Sequence, residues 1–273
     1  MDELCSGTTR QRISRKNLGK VPIPLPPLEE QQRIVAVLDE AFEGLARARA
    51  HAEANLQNAR ELFENSLIAI FAQVINYAEH MTLADASVSF GRGRSRHRPR
   101  NAPFLYGGSY PFVQTGDIRN SDGIVSTFSQ SYSEEGLAQS KLWPAGTICI
   151  TIAANIAETA VLGFDACFPD SIIGMVADTE TTFPEYVEFM LRFFAADLKK
   201  QGKGSAQDNI NMGTFERAHF PFPALHEQHE IVEKLSQLTN EVALLSGNYS
   251  QKIQDIDDLR QSLLHKAFAG ELT

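Results

Sequence analysis

Pro24-Leu25-Pro26-Pro27-Leu28-Glu29-Glu30-Gln31-Gln32-Arg33-Ile34-Val35 returns 197 residues later as Pro221-Phe222-Pro223-Ala224-Leu225-His226-Glu227-Gln228-His229-Glu230-Ile231-Val232. The match runs without a gap from Gly7 to Leu38 against Gly204 to Leu235, and Gly7/Gly204, Ile13/Ile210, Leu28/Leu225 and Leu38/Leu235 are also identical. An internal repeat of this kind constrains every other reading. In each copy the prolines exclude helix, because proline lacks the amide donor and biases the preceding residue toward extended geometry. A helix must therefore begin just after them, near Leu28 and Leu225, where Glu29, Glu30, Glu227 and Glu230 suit the positive end of its dipole.

Beyond the prolines both copies carry a 4-3 apolar seam in one shared register. The first reads Ile34, Leu38, Ala41, Leu45, Ala48, Ala52, Asn55, Ala59, Leu62 and Ser66, and the second Ile231, Leu235, Leu238, Val242, Leu245, Tyr249, Lys252, Ile256, Leu259 and Leu263. This is coiled-coil spacing. Small residues dominate the first seam and large ones the second, so the two complement each other in a close pair. No proline interrupts either stretch, and Gly44 and Gly247 weaken each by only ~1 kcal/mol relative to Ala. Forty-odd helical residues make a rod of roughly 60 to 70 Å, long for a compact bundle and suited to a spacer. The seam closes either as a hairpin within one chain or between the chains of a homodimer.

The 273 residues carry 25 Lys+Arg against 34 Asp+Glu, a formal charge of -9 that argues against a small, uniformly basic nucleic-acid module. The charge is segregated. Residues 29–79 hold nine acids and four bases and residues 226–265 seven acids and three bases, leaving 18 of each elsewhere. Cys5, Cys149 and Cys167 are an odd number at wide spacing, which fits free thiols in a reducing cytosol. The longest apolar run, Ile148 to Phe164, is broken by Asn155 and Glu158 and is unsuited to a bilayer, so the expectation is a soluble, cytoplasmic protein with no membrane partner.

Between the two helical stretches the texture changes to short β-branched and aromatic runs. Tyr110 to Ile118, Gly123 to Phe128, Thr147 to Ile152 and Ile172 to Val176 read as strands. A helix follows Pro184, with Tyr186, Phe189, Met190 and Phe193 facing a core. The most unusual stretch is Gly91-Arg92-Gly93-Arg94-Ser95-Arg96-His97-Arg98-Pro99-Arg100, five arginines alternating with no acid among them. In a strand this alternation projects all five from one face, but the glycines and proline favour a flexible loop. A phosphate backbone is the natural counter-charge, since arginine pairs with phosphate and also reads guanine edges in a fork.

The repeated prolines and helices, wrapped around a domain with Tyr110-Pro-Phe-Val-Gln-Thr-Gly-Asp-Ile-Arg119, resemble the DNA specificity subunits of type I restriction-modification enzymes. Leu142-Trp-Pro-Ala-Gly-Thr-Ile148, Asn155-Ile-Ala-Glu-Thr-Ala160, Cys167 to Gly174 and Leu263-Leu-His-Lys-Ala-Phe-Ala-Gly-Glu-Leu272 extend the resemblance along nearly the whole chain. It implies an α+β fold in which one mixed α/β target recognition domain is inserted between two long helices that form an antiparallel coiled coil. The organisation implied is a remnant tail of a missing first recognition domain over 1–27, a first helix over 28–79, a recognition domain over 80–224, and a second helix with its tail over 225–273. The repeat itself sets Gly7 to Ile13 against the segment that closes the inserted domain, Gly204 to Ile210, as if the chain were a shortened form of a two-domain parent.

What the resemblance implies for function is binding without catalysis: one half of a bipartite target is read in double-stranded DNA. The helices dock methyltransferase subunits, and an endonuclease subunit joins in the full complex. No cofactor is expected on this chain, because S-adenosylmethionine, ATP and magnesium belong to the partner subunits. The DNA contacts expected are Arg92, Arg94, Arg96, Arg98 and Arg100, then Gln114, Thr115 and Arg119, then Lys203, Ser205 and Gln207 of the closing segment. Asp117 is expected to be structural, because an acid beside DNA is repelled unless it accepts from cytosine.

Two other classes compete. A coiled-coil scaffold without DNA binding shares the helices but leaves the arginines without a purpose. A magnesium-dependent nuclease would use Asp170 with Asp197 and Lys199, but Asp197 and Lys199 fall in a helical pattern where such a site needs a strand. His226 and His229 lack a third ligand, so no metal is expected.

Overall fold

In the computed structural model, residues 5–6, 12–21, 23, 25–153, 156–202 and 212–272 are described. The helices are Arg15–Leu18 (α1), Leu28–Val74 (α2), Thr115–Arg119 (α3), Glu134–Ala138 (α4), Pro184–Gly202 (α5), Met212–Arg217 (α6) and Leu225–Ala269 (α7). The chain forms two compact units, Met1–Arg60 with Ala243–Thr273, and Glu61–Val242.

In the first unit Cys5–Ser6 (β1) pairs antiparallel with Arg12–Ile13 (β2), and α2 begins at Leu28 directly after Pro26 and Pro27. The change from extended chain to helix is fixed by a side chain. Gln31 Nε2 donates to the Pro26 carbonyl at 2.7 Å, and its repeat equivalent, Gln228 Nε2, donates to the Pro223 carbonyl at 2.8 Å. Identical residues in the two copies thus do identical work. The outer parts of the two long helices pack antiparallel, since Arg33 donates to the Leu272 carbonyl, Arg260 lies over the Phe42 ring and Arg49 pairs with Asp257. Ala52 and Ala59 are buried in this unit, where a small side chain lets the helices approach closely.

The second unit is the α+β head. Its larger sheet, among the described residues, has the order Ser87–Arg92 (β4), Ile172–Ala177 (β12), Ile148–Thr151 (β9), Thr159–Leu162 (β10) and Ile124–Val125 (β6). Pairing is antiparallel except between β10 and β6. Along β12 the side chains alternate between two cores: Ile173 and Met175 face one, Ile172 and Val176 the other. That is why its sequence is continuously apolar. The second sheet has the order Gln130–Tyr132 (β7), Tyr106–Phe112 (β5), Ala166–Cys167 (β11) and Leu142–Trp143 (β8).

The larger core takes in the inner ends of both long helices. Phe63, Leu67, Phe71 and Val74 of α2 and Ile231 and Leu235 of α7 join Tyr186, Phe189 and Met190 of α5. Glu79–Met81 (β3) pairs antiparallel with Phe220–Phe222 (β13), the strand leading into α7. This pairing requires extended chain at 79–81, and α2 accordingly ends at Val74 instead of running on to 79.

Three readings from sequence are corrected. Tyr110 to Ile118 is not one strand: β5 ends at Phe112 and Thr115–Arg119 is a short helix, begun where the Asp117 carboxylate accepts the Gln114 N–H at 2.8 Å. Gly123 to Phe128 contributes only the two residues of β6. The strict seam also drifts. Ile231 and Leu235 are buried and Ile34, Leu38, Leu45, Leu238, Val242, Ile256 and Leu263 half-buried, but Leu62, Leu245 and Leu259 are 49, 39 and 49% exposed. A helix turning every 3.6 residues slips against a 3.5 repeat, and in α2 the buried stripe passes from Leu62 to Phe63.

Candidate nucleic-acid interface

Arg92 closes β4, and beyond it the arginine run is irregular chain over 93–96 with a bend at 97–99 and a turn at Arg100, a loop as its glycines suggest, anchored at its start. Beyond Arg92 the Gly93 N–H donates to the Ile172 carbonyl and the Arg94 N–H to the Phe168 carbonyl, at 2.9 and 3.1 Å. Gly93 and Ser95 point inward and are buried, while Arg92, Arg94, Arg96, Arg98 and Arg100 are all exposed. Glycine at 93 serves close approach: a Cβ there would lie 2.2 Å from the Phe168 carbonyl oxygen. The run is thus a loop tethered to the sheet at Gly93 and Arg94 that presents its cations outward.

The five arginines are not equivalent. Arg92 Nε donates to the Asp170 carbonyl at 2.7 Å, and Arg100 pairs with the Asp170 carboxylate at 2.8 Å. Arg98 folds back onto the Ser95 and His97 carbonyls. Arg94 and Arg96 make no side-chain hydrogen bond or ion pair among the described residues. Arg92, Arg98 and Arg100 are held in place, whereas Arg94 and Arg96 stand free to meet an anion.

A sixth cation, one that the sequence does not single out, meets β4 on the face opposite to Arg92. Lys141 Nζ donates to Ser89 Oγ on β4 at 3.0 Å and lies 3.3 Å from the centroid of the Trp143 ring. Ser140, its neighbour in the chain, donates its hydroxyl to the Arg94 carbonyl at 2.8 Å. Burial, and then the charge of Arg94, pull the Lys141 ammonium below the ordinary lysine range. Trp143 is itself buried and stacks on Phe168 with ring centroids 5.2 Å apart, in space left by Gly174, where a Cβ would come within 2.9 Å of the indole. A lone lysine in a polar stretch gives no sequence signal; only the fold brings it to Ser89 and Trp143.

The other expected contacts fare differently. Gln114 occupies the position that starts α3, Thr115 is half-buried in its first turn, and Asp117 is a cap, also accepting from the Ser129 hydroxyl at 3.2 Å. Arg119 is exposed and lines a cleft with Glu158, Arg192 and Lys199. Among the described residues no hydrogen bond or ion pair joins Gln114, Thr115 or Arg119 to the arginine run. Lys203, Ser205 and Gln207 lie outside the described residues.

The carboxylates weighed for a nuclease are dispersed. Asp170 pairs with Arg100, Asp197 on α5 with Lys200, and Lys199 with Glu158. Among the described residues no group of three His, Cys, Asp or Glu side chains is placed to hold a metal ion, and no helix is long and apolar enough to cross a membrane. Cys149 and Cys167 are free and buried, and burial pushes both thiols up, away from the reactive thiolate form.

Two long helices with a duplicated start and an α+β domain that carries an exposed run of arginines define the class of protein. The family model for the type I restriction modification DNA specificity domain matches residues 1–52 and 90–255, and the chain belongs to that family. Its sequence is 23% identical to the EcoBI specificity subunit of Escherichia coli, over 98% of this chain and 62% of that one. It is 26% identical to the Escherichia coli EcoR124I/EcoR124II specificity subunit, over 85 and 59%. The chain thus spans about three fifths of the length of these curated relatives. In fold it is similar to the HsdS subunit from Thermoanaerobacter tengcongensis, with a TM-score of 0.66 at 23% identity over 98% of this chain and 65% of that one. A chain from a structure of complex assembly and conformational transition in the type I R-M system gives 0.80 at 22% identity, over 97 and 66%.

Proposed function

We propose that this chain is a non-catalytic DNA-recognition subunit of a cytoplasmic type I restriction-modification complex. Its head, residues 80–224, reads one half of a bipartite target in double-stranded DNA. Its long helices dock methyltransferase subunits, which supply S-adenosylmethionine chemistry, while an endonuclease subunit brings the ATP- and magnesium-dependent steps. The observation that carries this reading is the tethered arginine loop: five exposed guanidinium groups alternate with inward Gly93 and Ser95, and two of them, Arg94 and Arg96, are without a protein counter-charge among the described residues. Family membership supports the choice of DNA over any other polyanion.

The chemistry follows from the division among the arginines. Arg92 and Arg100, fixed through Asp170, give the loop a defined shape, which favours register over loose attraction. Arg94 and Arg96 are available for phosphate or for the O6 and N7 acceptors of guanine. Replacing both by serine is expected to weaken duplex binding and to lower the slope of log affinity against log salt by about 0.9 for each phosphate no longer neutralised. A fluorescence-anisotropy titration across salt concentrations reads this directly. If all five arginines are replaced and duplex affinity is unchanged, the arginine loop is not the DNA-binding surface and the scaffold reading takes its place.

A further inference from the structure

Arg94 and Arg96, the two arginines that no side-chain partner holds among the described residues, are the two whose main chain is held instead. The Ser140 hydroxyl donates to the Arg94 carbonyl at 2.8 Å, and the His97 N–H donates to Gln139 Oε1 at 2.9 Å. The first bond fixes the peptide group after Arg94 and the second the peptide group after Arg96. Between them Ser95 is buried, its hydroxyl 3.5 Å from that of Tyr132. Both tethers leave adjacent residues, since Gln139 ends α4 and Ser140 follows it. α4 is firmly seated in turn. The Ser133 N–H and hydroxyl donate to the Leu105 and Phe104 carbonyls at 2.9 and 2.7 Å, and a Cβ at Gly136 would lie 2.3 Å from the Leu105 carbonyl oxygen and 2.7 Å from the Tyr132 ring. Tyr132 is fully buried and stacks on Phe112 with ring centroids 4.0 Å apart. Stability alone does not account for glutamine at 139. Its Nε2 is buried without a hydrogen-bond partner among the described residues, and an unpaired buried donor costs at least as much as the one bond made by its oxygen returns. An apolar side chain of the same length avoids that cost, but it cannot accept from the His97 N–H.

We infer that Gln139 and Ser140 are positioning residues for base recognition, holding the main chain around Arg94 and Arg96 so that two free guanidinium groups stand on a fixed backbone. The inference rests on the DNA-recognition reading. Attraction to phosphate tolerates a loose loop, because it depends little on direction. A bidentate pair with guanine does not, because the guanidinium must lie in the plane of the base and within hydrogen-bond reach of O6 and N7 together. Fixing the root of a long side chain also lowers the entropy lost when its tip is ordered. Gln139 and Ser140 touch no base themselves; they act through the arginines they support.

The full chain is compared as wild type, Gln139→Met, Gln139→Glu and Ser140→Ala. Methionine removes the acceptor at nearly constant length, and glutamate keeps one. Hydrogen exchange read by mass spectrometry is expected to quicken over residues 93–98 in Gln139→Met and Ser140→Ala, to stay near wild type in Gln139→Glu, and to be unchanged over α5 in all three. A duplex that the wild type enriches from a randomised pool is then titrated beside an unselected, mixed-sequence duplex. Gln139→Met should lose about tenfold in affinity for the enriched duplex and little for the other, with the slope of log affinity against log salt unchanged because no phosphate contact is removed. Gln139→Glu should recover most of that ratio. Ser140→Ala carries the same test if the methionine variant fails to fold by thermal unfolding. Unchanged exchange over 93–98, an unchanged ratio, or an equal loss on both duplexes overturns the positioning role while leaving DNA recognition standing. If the wild type enriches no duplex, DNA recognition itself fails and the positioning role falls with it, whatever the exchange rates.

Discussion

Glu188 is the residue whose environment departs most from what its type prefers. It lies on α5, 5% exposed, with Oε1 lacking a hydrogen-bond partner among the described residues and Arg192 Nε 3.7 Å away, beyond hydrogen-bond reach. Burial pushes its carboxyl up to about 7, with Arg192 and Thr159 only partly opposing the shift. Between about pH 4.5 and 7 the folded chain keeps a proton on Glu188 that the unfolded chain releases, so stability falls as pH rises through that window. Fully expressed, the loss is on the order of 3 kcal/mol. Glu188→Gln keeps the shape and removes the charge. Its urea midpoint is expected to exceed that of wild type at pH 8 and to match it near pH 5; equal midpoints at both would show that Glu188 does not titrate in this window. None of this is readable from the sequence, where Glu188 is one acid of a charged helix. The same holds for Lys141 and for Gly93, whose roles are set by Trp143 and by the Phe168 carbonyl, partners that only the fold supplies.

At the scale of elements the sequence was most informative where chemistry is local and repeated. The prolines before Leu28 and Leu225 and the shared Gln31/Gln228 hydrogen bond located both long helices, because what starts them lies within five residues. Pro184 marked α5 in the same way. What failed was finer. Thr115–Arg119 sits in a run of strand-like residues, and only the Asp117 carboxylate reaching back to the Gln114 N–H makes it a helix. The seam failed at Leu62 because a strict heptad cannot anticipate where α2 stops pairing with one helix and begins to fill the core of the head. Substitution separates the two kinds of position. Leu235→Ala, at a fully buried site in the core of the head, should cost about 2 to 5 kcal/mol, whereas Leu62→Ala, half exposed, should stay within about 1 kcal/mol. Chemical denaturation of both variants measures the difference, and equal costs would put the seam back through Leu62.

For the whole molecule, the net charge of -9 is the sum of two parts with opposite roles. The long helices, with eight acids to four bases in α2 and seven to four in α7, hold seven of the nine excess negative charges, and the rest is nearly balanced while concentrating five arginines in ten residues. Under the proposed DNA-recognition function, such segregation confines attraction for DNA to the head, because acidic helices repel a phosphate backbone, and leaves those helices a surface suited to a protein partner. Asp39 and Glu40 test the division, being exposed on α2 within the unit that lacks the arginine loop. Replacing both by lysine turns two negative charges into two positive ones without touching the head. The expected outcome is tighter, more salt-sensitive binding to duplexes of any sequence, with a smaller ratio of specific to non-specific affinity, and weaker co-purification with a type I methyltransferase subunit. Anisotropy titrations against target and non-target duplexes read the first effect and pull-down of the subunit the second. If lysines at 39 and 40 leave both unchanged, the negative charge of the helices neither guards them against DNA nor serves the partner, and their role reduces to length and packing.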